Sequence, residues 1–181
     1  NLPLKLIASG GNISFRNNEY RPDATNTGQS TFCSIAGDIK LTMQAAEGKV
    51  ISFFDAIRTS TKKTGTLASA YDTLDINKSN DSGSINSAFT GTIMFSSELH
   101  ENKSYIPQNV VLHSGSLILK ANTELHVLSF DQKEGSSLIM EPGSVLSNQD
   151  IADGSLVVNS LTIDLSSVGR NSASGDNIFM P

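Results

Sequence analysis

The chain has 181 residues, a formal net charge of −5, 17% charged side chains and a single cysteine. That length is enough for one elongated domain with a sizeable core. The acidic balance, with no run of Lys or Arg along any predicted strand, excludes a phosphate-tracking nucleic-acid binder. The lone Cys33 excludes a disulfide-stapled module, and the absence of an apolar run of about 18 residues excludes a membrane-spanning helix.

Taken in order, the chain starts at Asn1 without an initiating Met or a charged-then-apolar leader, so we expect it to be cut from a longer precursor. Two strands are predicted at Pro3 to Ile7 and Asn12 to Phe15, separated by a turn at Gly10-Gly11. Glu19 to Ser30 reads as a polar surface excursion. Strands resume at Phe32 to Ile35, Ile39 to Met43 and Val50 to Phe54, and Cys33, inside an apolar alternation, is expected to fill a buried column as a small hydrophobe. Thr59 to Ser69 and Asn77 to Ser87 have almost no apolar periodicity and form a second excursion, with one short strand between them at Tyr71, Leu74 and Ile76. Gly91 to Phe95 is a strand. In Ser96 to Tyr105, Ser97 followed by acidic residues predicts a helical turn or two. Gln108 to Leu112 restores a strand.

A repetition then becomes explicit. Gly115-Ser116-Leu117-Ile118-Leu119, Gly135-Ser136-Ser137-Leu138-Ile139-Met140 and Gly154-Ser155-Leu156-Val157-Val158 repeat at about 20 residues, each followed by a second short apolar segment. A unit too small to close its own core, repeated with turns between strands, predicts an all-β solenoid, a right-handed parallel β-helix with loop insertions. Strand alternation places Leu117 and Leu119, Leu138 and Met140, and Leu156 and Val158 in two inward columns. Ile118, Ile139 and Val157 make the outer face partly apolar, which calls for a cover from a neighbouring domain or loop. At about 22 residues per rung and about 4.8 Å per spacing, some eight rungs would build a rod about 40 Å long. The alternative is an antiparallel β-sandwich, whose short strands also give evenly spaced turns. Residues 1–170 are expected to form one segment, with irregular loops at about 19–30 and 59–88, and 171–181, rich in Ser, Asn and Gly, a linker.

No catalytic constellation is expected. The nucleophile elbow, P-loop and Rossmann fingerprints are missing. Asp131, Asp150, Asp153 and Asp164 fall at turns or alternating strand positions and not as a glycosidase pair. The calcium nonapeptide is missing too, because Asn12-Ile13 follows Gly10-Gly11. His100, His113 and His126 have no i, i+4 spacing and no cysteine partner, although His113 and His126 could meet across a rung. Neither a metal nor a cofactor is expected. Asn12, Asn77, Asn80 and Asn102 begin Asn-x-Ser sequons, which matter only in a glycosylating pathway.

Val50 to Ile57, Gly91 to Ser96, Leu112 to Lys120 and Ser129 to Leu146 resemble the middle domain of the chlamydial polymorphic membrane proteins, the D-type among them, over about Val50 to Leu165. Ala56 stands where that family usually has Pro. Phe15-Arg16-Asn17-Asn18 fits the family's F-x-x-N repeat, and Gly10-Gly11-Asn12-Ile13 fits half of its G-G-A-[ILV] repeat, with Asn12 in place of Ala. The resemblance implies a β-helical autotransporter passenger, displayed at the bacterial outer-membrane surface or released as a secreted fragment, and acting in virulence and adhesion to host cells. It implies Gly10, Gly11, Ile13, Phe15 and Asn18 as candidate binding residues, although turn chemistry favours a structural role for Phe15 and Asn18. A protein receptor on the host cell surface is the partner implied, with a homo-oligomer as a further one. Nucleic acid is not expected, and a membrane is reached only through a C-terminal barrel outside this chain. A stalk or folding module beside that barrel, with no ligand of its own, is the other reading.

Overall fold

The computed structural model describes residues 4–16, 32–35, 41–59, 73–79, 89–99, 101–148, 156–158 and 161–163, and these form strands and turns with no helix. The strands are β1 (Leu4–Ala8), β2 (Ile13–Phe15), β3 (Phe32–Ile35), β4 (Leu41–Ala45), β5 (Val50–Phe53), β6 (Ala56–Thr59), β7 (Leu74–Ile76), β8 (Thr92–Phe95), β9 (Lys103–Leu112), β10 (Ser116–Leu119), β11 (Glu124–Gln132), β12 (Ser137–Met140), β13 (Val145–Asn148), β14 (Leu156–Val157) and β15 (Leu161–Ile163). The excursions expected at 19–30 and within 59–88, the linker at 171–181, and Asn18 and His100 lie outside the described residues, apart from the short stretches 59, 73–79 and the strand β7.

Every ladder among the described residues is parallel. The antiparallel sandwich is therefore wrong, since hairpin-linked neighbours would pair antiparallel and here no strand pairs with the next one along the chain. β2, β5, β8, β10, β12 and β15 form a six-stranded sheet. The other strands form a nine-stranded sheet in two stretches. One stretch holds β3, β6, the first halves of β9 and β11, and β13. The other holds β1, β4, β7, the second halves of β9 and β11, and β14. The chain visits these three surfaces in one unchanging order.

The core is built of residues that stack at the same strand position in successive strands. Ile13, Ile51, Ile93, Leu117, Leu138 and Leu161 follow one another in one column of the six-stranded sheet, and Phe15, Phe53, Phe95, Leu119 and Met140 in the next. Ile51, Ile93, Leu117 and Leu119 are 0% exposed, and Phe53, Phe95 and Leu138 1%. Burying one such side chain stabilises by about 1.5–3 kcal/mol. Phe15 stacks on Phe53 at 4.8 Å with the rings 5° apart, and Phe53 on Phe95 at 5.1 Å, each pair adding about 0.5–1.5 kcal/mol beyond area.

The first two glycine repeats behave as expected, with Ser116 opposite Ser137 and Leu117 opposite Leu138. The third does not. Leu156 pairs with Phe130 of β11, and Leu161 takes the place beside Leu138 that was expected for Leu156. The reason is length: the steps from Ile93 to Leu117, Leu138 and Leu161 are each a little over twenty residues, and the spacing from Gly135 to Gly154 is too short for a full circuit.

Two further expectations change. Glu98 and Leu99 lie in a bend and not in a helix, because Ser96 Oγ accepts the Glu98 N–H and Ser97 Oγ accepts that of Asn102. β9 begins at Lys103, well before Gln108, because its inward positions Ser104 and Gln108 are polar and hide the alternation. Pro107 fits within it because the register of β9 against β11 shifts there, with Ile106 opposite Val127 and Asn109 opposite Ser129, as at a bulge.

Leu138 is enclosed and Ser137 faces outward beside Ser116. Leu138→Asp should therefore cost several kcal/mol by burying an unpaired carboxylate, and Ser137→Asp under about 0.5 kcal/mol. Denaturant unfolding of the two variants checks this, and equal losses would mean that the faces are assigned the wrong way round.

Candidate functional site

The described surface is divided by charge. None of the six strands of the first sheet carries an Asp, Glu, Lys, Arg or His. Its outward rows are Thr92, Ser116 and Ser137 beside Met94, Ile118 and Ile139, all half-buried. The nine-stranded sheet carries the ionisable ladder. Tyr105 stacks on His126 at 4.6 Å, and Ser147 lies next to His126 on the following strand. His126 Nε2 is 3.0 Å from Glu124 Oε2 and its Nδ1 is 2.6 Å from Ser147 Oγ. A carboxylate only accepts, so Nε2 donates to Glu124, while Nδ1 and the Ser147 hydroxyl share a hydrogen bond. Lys103 Nζ lies 2.9 Å from Glu101 and 3.3 Å from Glu124.

The hydrogen bond from His126 holds the Glu124 carboxyl below its usual range, with Lys103 adding to the effect against partial burial. Glu101, then Glu124, raise the Lys103 ammonium. Ser147, His126 and Glu124 are the residue types of a nucleophile, base and acid. Strand N–H groups lie in the plane of the sheet, however, so no oxyanion donors stand over Ser147, and the chain of contacts orders the ladder instead.

His113 and His126, which the spacing allowed to meet across a rung, have separate partners. His113 Nε2 is 2.7 Å from Asp75 Oδ1, on a carboxyl that is itself buried. Among the described residues no three His, Cys, Asp or Glu side chains gather as a metal site. Asp131 is paired with Lys133, and Asp150, Asp153 and Asp164 lie outside the described residues.

Two sequon asparagines turn out to be internal braces, which sequence reading missed. Asn77, at φ 54° and 1% exposed, accepts the Ala45 N–H at 2.8 Å and donates to the Gly91 and Ser114 carbonyls at 2.9 and 3.0 Å. Asn102, 0% exposed, donates to the Phe53 and Ser96 carbonyls and accepts from Ser104 Oγ. A glycan on either would break these contacts. Gly115 (φ 70°) completes the first corner, since a Cβ there would lie 2.3 Å from the Gly91 carbonyl. The only advance signal was an Asn beside small residues at a rung boundary.

The motif residues lie at the first corner and first strand of the six-stranded sheet. Gly10 and Gly11 are exposed, and a Cβ at either would meet nothing within 4 Å. Ile13 and Phe15 are half-buried members of the columns. Asn12 Oδ1 accepts the Val50 N–H at 3.0 Å, a role that Ala could not fill. The structure thus brings Gly10, Gly11, Ile13 and Phe15 to one edge, with Ile13 and Phe15 facing inward.

A family model described as the Chlamydia polymorphic membrane protein middle domain matches residues 115–181. The chain is 80% identical over its whole length to the probable outer membrane protein PmpC of Chlamydia trachomatis serovar D, of which it covers 10%. It is 66% identical over 92% of its length to the probable outer membrane protein PmpB of Chlamydia muridarum, and 61% identical over 98% to that of Chlamydia trachomatis, again covering 10% of each. The chain thus spans about a tenth of these curated relatives, whose names are of the B and C types and not the D type. No solved structure matches.

The Glu124 carboxyl gives a pH prediction. Its folded value lies below the ordinary value of about 4.5, so its stabilisation is complete above that value and is lost as pH falls through the folded one. Glu124→Gln should lower stability at pH 7 by about 1 kcal/mol or less, and the gap to the parent should close in acid. Thermal melts across that range check it, and a gap that widens below pH 4.5 would refute it.

Proposed function

The chain belongs to the chlamydial polymorphic membrane protein family, and on that premise we propose that it is a segment of a right-handed parallel β-helix in an outer-membrane autotransporter passenger that serves in adhesion to host cells. The observation that carries this is the fixed order in which the chain visits three parallel surfaces, with apolar residues in register from one circuit to the next. Parallel crossovers are right-handed in about 98% of cases, which sets the hand. The relatives' names support the outer membrane as the location.

In this reading the rungs are a rigid scaffold and the host receptor, a cell-surface protein, is met by the polar excursions at 19–30 and 59–88 outside the buried strand β7 and Asn77, at 60–72 and 80–88, because loops can vary without disturbing the stack. A second reading, a stalk with no ligand of its own, draws support from Phe15: a ring stacked on Phe53 inside the column is poorly placed to meet a receptor. No catalysis belongs to either reading.

Binding of the purified chain to host epithelial cells tests the proposal. Replacing 19–30, 60–72 and 80–88 by short Gly-Ser turns while keeping β7 and Asn77, with the circular dichroism spectrum retained, should abolish binding, and Phe15→Leu should leave it within about twofold of the parent, since it keeps an apolar filler in the column. Undiminished binding by the loop-replaced chain would refute the assignment to the excursions, and no binding by the parent would favour the stalk.

A further inference from the structure

The middle of the six-stranded sheet carries hydroxyls that the fold does not use. On β8, β10 and β12, Thr92, Ser116 and Ser137 stand in one outward row and Met94, Ile118 and Ile139 in the next, and all six are half-buried, so both rows reach the surface. Elsewhere serine hydroxyls are committed: Ser97 bonds the Asn122 carbonyl, Ser104 the Asn102 side chain, Ser114 the Asn77 and Phe89 carbonyls, and Ser129 the Asn109 side chain. The hydroxyls of Thr92, Ser116 and Ser137 have no such bond among the described residues. They follow one another at about 4.8 Å, beside an apolar row displaced by about 6.6 Å along the strands.

Charge, size and hydrogen bonding limit what this stripe can hold. The chain carries a net charge of −5, and these strands carry no ionisable side chain, so an anion finds no counter-charge here and an uncharged ligand desolvates no ion. Six strands are about 24 Å across and four residues about 13 Å deep, roughly 300 Å², whereas a stable protein partner covers about 800 Å² per side. The face is too narrow for a second copy or a globular receptor. An extended peptide is poorly served, because its backbone groups pair along a strand edge and a sheet face offers only side chains. A neutral glycan meets all three conditions, since a pyranose ring has hydroxyls at its rim and C–H groups on its faces. We propose that this face binds a neutral glycan chain laid along the stack, its hydroxyls on Thr92, Ser116 and Ser137 and its C–H faces on Met94, Ile118 and Ile139. The site is separate from the excursions and does not depend on the adhesive role given to them.

Saturation-transfer NMR of the purified chain with maltohexaose, cellohexaose and lacto-N-tetraose, against a heparin hexasaccharide, tests it. At least one neutral sugar should receive saturation, and the heparin fragment should not. Thr92→Ala, Ser116→Ala and Ser137→Ala combined should weaken that binding at least about tenfold, since three hydrogen bonds are lost. Glu124→Gln, on the other sheet, should leave it within about twofold. No saturation of any neutral sugar, stronger saturation of heparin, or equal binding by the triple variant would overturn the proposal. Self-association of the parent that the triple variant loses would also overturn it, by giving the face to a second copy. Should the triple variant lose its β-sheet dichroism, Ser116→Ala alone, at the centre of the row, decides with a loss of about threefold.

Discussion

Everything in this molecule depends on one constraint: a side chain on an inward strand position has its counterpart one circuit earlier and one circuit later directly against it. Phe53 illustrates it, held between Phe15 and Phe95. A parallel stack transmits that requirement along the chain, because a polar residue or a slip of one position would be repeated against both neighbours. The corners obey the same rule with hydrogen bonds. Asn77 and Asn102 each tie backbone groups of successive circuits: Asn77 accepts the Ala45 N–H, and the two side chains add a second hydrogen bond to the Gly91 and Phe53 carbonyls, which backbone N–H groups already meet.

The outer surface follows from the same register. Once strands are in step, outward residues also stand in rows, and the ionisable ones find partners on the adjacent strand: Tyr105 with His126, His126 with Ser147, Lys103 with Glu124. Chemistry that could have served a ligand is spent on aligning strands. The adhesive reading proposed above therefore looks to the excursions and not to the ladder, and Ile13 and Phe15 contribute first to the columns.

The alternation Leu117, Leu119, Leu138, Met140 was legible because a glycine turn precedes each strand, Gly115 one residue before β10 and Gly135 two before β12. Phe32 to Ile35 and Leu74 to Ile76 were legible for the same reason of alternation. Leu156 was assigned to the wrong surface because β14 also follows a Gly-Ser pair, and local pattern does not say which of three surfaces a strand joins; only counting a whole circuit does. The first half of β9 was missed because Ser104 and Gln108 occupy inward positions without looking apolar. Ser97 suggested a helix start since Ser caps helices, and here the same hydroxyl closes a turn and reaches the Asn122 carbonyl one circuit on. The inward direction of Phe15, expected from the structural reading of its motif, agrees with its pairing and stacking on Phe53.

A disulfide scan reads the register most directly. Ser116 and Ser137 are direct partners on adjacent parallel strands, facing outward, at a separation of about 4.8 Å that a disulfide can bridge. With Cys33 replaced by Ser, the pair Ser116→Cys and Ser137→Cys should form an intramolecular disulfide under mild oxidation, detected by mass spectrometry of the monomer, while Ser116→Cys with Ile139→Cys should stay reduced. Rapid closure of the second pair but not the first would contradict the account.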